Sequence, residues 1–407
     1  MSGEAPFEID ELFFSRTDKR GVIVAANYIF RRVAGYEWDE LLGAPHKIIR
    51  HPDMPKAVFW LLWDALNKGE SVGAYVKNKA KDGLYYWVFA VVMPFRDGFL
   101  SVRIKPTSKL LSIIEKEYAT LRQAEIEEGV TPEASAAILL QRIQSLGYAD
   151  YQTFASDALM QELSWRDKAM GIIIPKVTDQ FSEMISVADG LKKETAALSS
   201  GFDDISTVPT NMRIIAARLE PSGGAISSLA QNYWEMSEEM SRWFQNYVSG
   251  SDSSFSAIRG MLISSQFLCG AARMLNEIAD KFSVERRSLG GVDVAGEKNH
   301  MTDMAADFVD KATSGMEEVA DEAEQILRAI TMMRRFTLGL SSTRVMCNIE
   351  SARLTSGGDS LIYVINQLEQ FQVRLVSQLD KIEAQSHTIM EYAQSLRTNQ
   401  GGILTRT

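Results

Sequence analysis

The sequence predicts two kinds of protein joined end to end: a small α+β domain, then an all-α region of long antiparallel helices. Three observations carry this. Six of the ten prolines lie in residues 1–106 and none follows Pro221. Charge divides at the same place, with 15 Lys+Arg against 13 Asp+Glu up to residue 106 and 28 against 40 beyond it. Past about residue 168 the apolar residues recur three and four apart, the rhythm of a coiled-coil seam. The last segment shows it in Leu361, Val364, Leu368, Phe371, Leu375, Leu379, Ile382, Ile389 and Leu396, with a polar place near Gln385-Ser386.

Composition narrows the function classes. The chain has 407 residues, 45% of them hydrophobic, enough to bury real cores. Cys269 and Cys347 cannot build a disulfide framework and read as small buried hydrophobes in a reducing compartment. Four histidines and two distant cysteines do not make a structural zinc site. A formal charge of −10, concentrated in the helical region, argues against nucleic acid, whose affinity rests on cationic contacts. No run approaches the ~20 apolar residues of a membrane span, and the acidic N-terminus lacks a signal-peptide core. A cytoplasmic protein is therefore expected. No phosphate-binding glycine loop, dinucleotide fingerprint, His-Glu-x-x-His pair or nucleophile elbow occurs, so no enzyme is expected.

In residues 1–106, Leu12-Phe13-Phe14 and Val22-Ile23-Val24 read as two strands around the turn Asp18-Lys19-Arg20-Gly21. Short helices follow near 27–34 and 37–42. Met54–Leu66 reads as a longer helix, with Pro55 suited to its first turn. Strands near 72–80 and 84–94 are joined by Lys81-Asp82-Gly83, and Arg96-Asp97-Gly98 leads into a last strand, Phe99–Lys105. The order predicts a five-stranded antiparallel sheet with helices across it.

The segment Ile48-Ile49-Arg50-His51-Pro52-Asp53-Met54-Pro55-Lys56 makes a closer identification. With Asn27, Gly35-Tyr36 and Val76-Lys77-Asn78 ahead of Tyr86-Trp87, it resembles the PAS domain of bacterial aerotaxis receptors over about residues 10–106. The resemblance implies non-covalent FAD and redox sensing. It places Asn27, Arg50, His51, Asp53, Trp63 and Asn78 in the flavin cleft. Arg50 would pair with a phosphate, Trp63 would stack on a ring, Asn27 and Asn78 would hydrogen-bond the polar ring edge, and His51 would orient its loop or touch the cofactor. Structural readings stand beside these: Asp53 as the N-cap of the following helix, and Trp63 as core beside Phe59 and Trp60. Haem is the rival ligand, with His51 the histidine placed for it because His46 sits in the preceding loop. A domain with no cofactor, acting as a structural scaffold, is the alternative from another class.

Residues 107–167 read as a connector of three amphipathic helices: Leu110–Ile126, one started by Thr131-Pro132 and stopped at Gly147, and Asp150–Trp165. Membrane-bound aerotaxis receptors carry a hydrophobic anchor at this place. Here charged helices such as Glu115-Lys116-Glu117 occupy it.

The helical region contains a repeat. Ile214-Ile215-Ala216-Ala217-Arg218-Leu219-Glu220-Pro221-Ser222-Gly223-Gly224 and Ile349-Glu350-Ser351-Ala352-Arg353-Leu354-Thr355-Ser356-Gly357-Gly358 share Ile, Ala-Arg-Leu and Ser-Gly-Gly. Each reads as the tip of a helical hairpin, giving hairpins at 168–289 (tip 219–225) and 290–407 (tip 354–359), joined at Leu289-Gly290-Gly291-Val292-Asp293. The tips resemble those of methyl-accepting chemotaxis proteins, where Ile-Glu-Ala-Ala-Arg precedes a Gly-rich turn. That implies tip residues Arg218, Gly223, Gly224, Glu350, Arg353, Gly357 and Gly358 facing a chemotaxis histidine kinase and its coupling protein, or other receptors. Helices near 168–220, 225–286, 296–355 and 359–398 are expected, the first three roughly 80 Å long at 1.5 Å per residue, with a kink at Pro209. Folding both hairpins together would let one molecule imitate a receptor dimer, a monomeric four-helix pseudo-dimer; a homodimer is the alternative. Thr313-Ser314-Gly315-Met316-Glu317-Glu318 and Ser237-Glu238-Glu239 resemble receptor methylation segments, which marks Glu317 and Glu318 as candidates.

Overall fold

The computed structural model describes the chain except residues 1–2, 174–175, 206, 219–223, 248–253, 285–289, 354–357 and 399–407. Two compact units emerge. One holds Met1–Asp179 and Ile263–Thr313, the other Gln180–Leu262 and Ser314–Thr398.

The first unit is built on a five-stranded antiparallel sheet in the order β2-β1-β5-β4-β3. Strands β1 (Phe13–Asp18) and β2 (Ile23–Ala26) close around a turn in which the Asp18 carboxylate accepts from the N–H groups of Arg20 and Val22, at 2.8 and 2.9 Å. Helices α1 (Tyr28–Ala34) and α2 (Trp38–Leu41) and a 3₁₀ turn at His46–Ile49 lead to α3 (Lys56–Asn67). Strands β3 (Val72–Lys79), β4 (Tyr85–Phe95) and β5 (Gly98–Ile104) complete the sheet. Gly98 is required by space: a Cβ there would stand 1.8 Å from the Thr17 carbonyl oxygen across the β1–β5 ladder.

Both faces of this sheet are covered, which is why its strands read as nearly continuous apolar runs. Alternation along each strand sends Ser15, Thr17, Val76, Asn78, Ala90, Val92, Phe99, Ser101 and Arg103 to a cavity beneath α3. The opposite set meets helices: Tyr75 touches Phe154, Trp87 touches Tyr118, and Phe14 touches Phe282.

Three helices occupy residues 109–170. Helix α4 (Lys109–Glu127) is capped by Ser108, α5 (Pro132–Ser145) by Thr131, and α6 (Tyr151–Met170) by Asp150, each side chain accepting a first-turn N–H. These helices are bonded to the sheet through buried ions. The Glu162 carboxylate accepts from the Tyr75 hydroxyl, the Ser108 hydroxyl and the N–H groups of Thr107 and Ser108, at 2.6–3.0 Å. Arg166, fully buried, forks onto Glu277 at 2.6 and 2.8 Å, and Asp167 pairs with Arg273.

The remaining helices are α7 (Lys176–Ile205), α8 (Val208–Arg218), α9 (Gly224–Tyr247), α10 (Ser254–Val284), α11 (Val294–Arg353) and α12 (Gly358–Thr398). Among the described residues, one of the four expected long helices is divided. The helix expected at 168–220 falls into the end of α6, then α7 and α8. Gly171, in the left-handed region, ends α6, and Pro209 sits in the first turn of α8, so the expected kink is a restart. The helix expected at 225–286 is α9 and α10, on either side of residues 248–253, outside the described residues. Only α11, with 60 residues, exceeds the length expected of the first three.

In the second unit, α8 packs on α9 and α12 on α8. Gly190 of α7 faces Gln385 of α12, Gly339 of α11 faces Met236 of α9, and Arg334 of α11 pairs with Asp380 and Glu383 of α12. Four helical layers thus close on one another within a single chain. All nine apolar seam residues from Leu361 to Leu396 are buried, and Ser386, also buried, fills the polar place by bonding back to the Ile382 carbonyl. Among the described residues no helix is long and apolar enough to cross a membrane.

The described parts of the two repeat copies are helical on either side of residues 219–223 and 354–357. Arg218 and Arg353 are the last described residues of α8 and α11, and Gly224 and Gly358 the first of α9 and α12. Ile214 and Ile349 are both exposed, and Ala216 and Ser351 both buried. Glu350 pairs with Arg353. Gly223, Gly357 and the rest of residues 219–223 and 354–357 lie outside the described residues. Glu317 and Glu318 are exposed on α11, with Glu317 paired to Arg397. Cys269 and Cys347 are buried, which pushes their thiols up to about 12 and about 11.

Candidate functional site

The cavity has a volume of about 230 Å³ and lies between the sheet, α3 and the His46–Ile49 turn. Its walls are aromatic and aliphatic: Phe59, Leu62, Trp63 and Leu66 from α3, with Phe99 from β5 set edge-on to Trp63 at 5.1 Å. Cationic groups gather at one side. Arg50, Lys47 and Arg20 line it and are exposed. The Arg50 guanidinium lies 3.5 Å from the Phe59 ring centre, and no carboxylate pairs with it among the described residues. Partial desolvation of the guanidinium beside that ring lowers its pKa.

Arg103 is the floor of the cavity. It is 4% exposed, and burial pushes its guanidinium down to about 10. Among the described residues it has no acidic partner. One amino nitrogen donates to the Ser15 hydroxyl at 3.0 Å and to His46 Nε2 at 2.7 Å, and the guanidinium lies over Phe30. Arginine only donates, so His46 Nε2 must be the unprotonated nitrogen. Burial, with the charges of Arg103 and Arg50, holds His46 neutral by pushing its pKa well below 6.5. Nη1 of Arg103 and Oγ of Ser101 are buried without a hydrogen-bond partner, and both residues line the cavity. Orphaned donors of this kind cost about 1–3 kcal/mol each or more. They call for a ligand that brings acceptors.

Of the six residues assigned to the cleft from sequence, the cavity gathers Arg50, Trp63 and Asn78. Asn78 is 2% exposed on β3, opposite Tyr86 and bridged to Arg50 through the backbone. The other three lie elsewhere. Asn27 is spent on the fold: its oxygen accepts from the N–H groups of Phe14 and Phe30, capping α1, and its amide donates to the Leu12 carbonyl. His51 turns away to the other side of β3, its Nδ1 accepting from Asp53 N–H at 3.1 Å, its ring against Tyr85. Asp53 pairs with Lys77 at 2.7 Å, and this contact holds its carboxyl below the usual range. Nor does Asp53 cap α3. The cap position is Pro55, and the first N–H groups, of Lys56 and Ala57, are taken instead by buried Glu125 of α4.

The histidine facing the cavity is His46, not His51, and its Nε2 is already held by Arg103. That removes the residue on which a haem reading rested. Among the described residues no group of three or more His, Cys, Asp or Glu is placed to hold a metal.

A FAD ring system fits what is present. A flat ring would lie against Trp63, Phe59 and Phe99, its carbonyl-bearing edge could satisfy Arg103 Nη1, Ser101 Oγ and the Asn78 amide, and the exposed cations suit a pyrophosphate. At about 230 Å³ the cavity is smaller than typical small-molecule sites of ~300–1,000 Å³, so a dinucleotide tail would run outside it.

Comparison with known proteins agrees with the fold. The family model described as PAS fold matches residues 23–100. The aerotaxis receptor of Escherichia coli (strain K12) is 40% identical over 121 residues, covering 28% of this chain and 24% of that protein. The biofilm dispersion protein BdlA of Pseudomonas aeruginosa is 30% identical over 105 residues, covering 25% of each. The chain thus spans about a quarter of the length of the curated relatives it matches. Among solved structures, the light state of the blue-light photoreceptor Aureochrome1 LOV aligns at 23% identity with a TM-score of 0.24, over 26% of this chain and 88% of that one. The chain carries an N-terminal PAS-fold domain, similar in sequence to part of the aerotaxis receptor, followed by a helical region.

Proposed function

We propose that the chain is a cytosolic redox or oxygen sensor that binds FAD in the sheet cavity and reports through its helical region, as an aerotaxis or energy-taxis transducer. The observation that carries this reading is Arg103: a buried cation with no acidic partner and an open donor, facing an aromatic-walled cavity. Similarity to part of the aerotaxis receptor supports it.

FAD, when bound, supplies reversible electron transfer, with a change of charge and hydrogen bonding at the ring edge. The chain's residues do the rest. Arg103, held by Ser15 and His46, presents a fixed positive charge to that edge. Neutral His46 adds no second charge and keeps Arg103 in place. Asn78 and Ser101 orient the ring, Trp63 and Phe99 pack it and exclude water, and Arg50 guards the mouth. Six cofactor contacts were expected from sequence; Arg50, Trp63 and Asn78 remain in the proposal, and Ser101, Arg103 and His46 join them. The helical region would act as a monomeric pseudo-dimer, with the two repeat tips as the surface for a chemotaxis kinase and its coupling protein.

The visible absorption spectrum of the purified full chain tests this. Flavin bands, and FAD released on denaturation, are expected. A Soret band would point to haem, and a colourless protein that takes up no added FAD would favour a scaffold.

A further inference from the structure

Strand β1 has two faces that do different things, one residue apart. Ser15 and Thr17 line the cavity, and Ser15 accepts from Arg103. Between them, Arg16 points the other way. Its guanidinium forks onto Glu297 with three bonds of 2.6–3.0 Å, and the Glu297 side chain is only 5% exposed. Glu297 lies in the first turn of α11, which Asp293 caps by accepting from Gly296 N–H at 3.0 Å. Phe14, on the same side as Arg16, packs edge-on against Phe282 of α10 at 5.0 Å.

The turn before α11 is also seated on this domain. Gly290, at φ +65, comes so near α2 that a Cβ would meet Leu42 and Trp38 at 3.0 Å. On the same face, Phe95 of β4 lies 5.0 Å from the ring of His300. The start of α11 is therefore held by β1, β4 and α2, and by one charge-assisted fork from β1.

We infer that β1 couples the cavity to α11: a ligand that draws on Arg103 shifts Ser15, and the Arg16–Glu297 fork passes that shift to the first turn of a 60-residue helix. A bidentate Arg–carboxylate contact suits this because it fixes direction as well as distance. A strand suits it because neighbouring residues face opposite sides on a rigid ladder. Register supports the choice of strand: Ser15 pairs with Ser101 and Phe13 with Arg103 across β1–β5, so β1 lies directly beside the strand that carries the orphaned donors. The inference rests on the flavin reading for its ligand alone.

The test is amide hydrogen exchange across residues 294–300 of the full chain, with FAD as probe and flavin absorbance reporting binding separately. FAD should change exchange there by about tenfold, the effect of one charge-assisted contact. Glu297→Gln should still bind FAD, its affinity altered by no more than about tenfold as reciprocal coupling requires, and lose the change. The exchanged pair Arg16→Glu with Glu297→Arg should regain it. A full exchange response in flavin-bound Glu297→Gln overturns the proposal. If wild type takes up no FAD, the flavin reading fails, and Ser15→Ala in the ligand-free chain decides the coupling. Exchange at 294–300 should then rise at least threefold, and no rise overturns it.

Discussion

Two arginines buried in the same unit have opposite surroundings. Arg166 is fully buried and neutralised: it forks onto Glu277 and donates to the Ile9 and Asp10 carbonyls. Arg103 is 4% exposed, its side chain hydrogen-bonds among the described residues to the neutral Ser15 and His46, and Nη1 is left open. A buried charge without a counter-ion costs several kcal/mol. The chain accepts that cost on the cavity face of the sheet and avoids it on the other. The difference teaches where protein ends and ligand begins: Arg166 completes a clasp between α6 and α10, while Arg103 is half of an interaction.

The comparison can be broken at either residue. Arg166→Met strands the Glu277 carboxylate in the interior and should cost about 3–5 kcal/mol in urea unfolding, with much of the loss recovered by adding Glu277→Leu. Arg103→Met, measured the same way on the flavin-free chain, should change stability by no more than about 1 kcal/mol, because the lost hydrogen bonds are offset by removal of an unpaired buried charge. Equal costs at the two positions would erase the distinction.

Acid sharpens it. His46 is held neutral below its ordinary 6.5 by burial and by Arg103 and Arg50. The unfolded chain takes up a proton below 6.5 that the folded chain refuses. Stability is therefore full above 6.5 and declines as the pH falls, by up to about 1.4 kcal/mol per pH unit from this group. His51, lowered chiefly by burial and Lys77, adds in the same direction. His46→Gln should flatten the decline between about pH 7 and about pH 5.5 more than His51→Gln does. A third contrast concerns Asn27, which serves the fold and not the cavity. Asn27→Ala removes a helix cap and should cost about 1 kcal/mol while leaving flavin affinity unchanged.

The sheet was legible because its signals are local. Gly83 and Gly98 punctuate it, β-branched and aromatic runs fill it, and every strand and helix from β1 to α6 lies near its expected place. The seam of α12 was legible for the same reason: residues Leu361 to Leu396 recur three and four apart, with one shift at Leu379. The end of α6 at Gly171 was not, since a seam continues in register across a short break. In the site, Trp63 and Asn78 line the cavity, whereas Asn27 and His51 do not. A buried Asn at a strand–helix junction serves a cap as well as a ligand, and adjacent Arg50 and His51 face opposite ways. A signal for the missed residues was present. Phe99, Ser101 and Arg103 alternate on β5 with Leu100, Val102 and Ile104, and an arginine inside such a strand needs a reason. The Arg16–Glu297 fork had no local signal, its partners lying 281 residues apart.

The central claim is that Arg103 awaits a ligand that supplies acceptors. Titrating FAD into the full chain, followed by quenching of its fluorescence, tests it most directly. Saturable binding at one site per chain is predicted, weakened at least about 100-fold in Arg103→Met, an effect of two to three kcal/mol in keeping with hydrogen bonds to a charged group, and unchanged in Asn27→Ala. Equal binding by wild type and Arg103→Met, or none by either, would contradict the account.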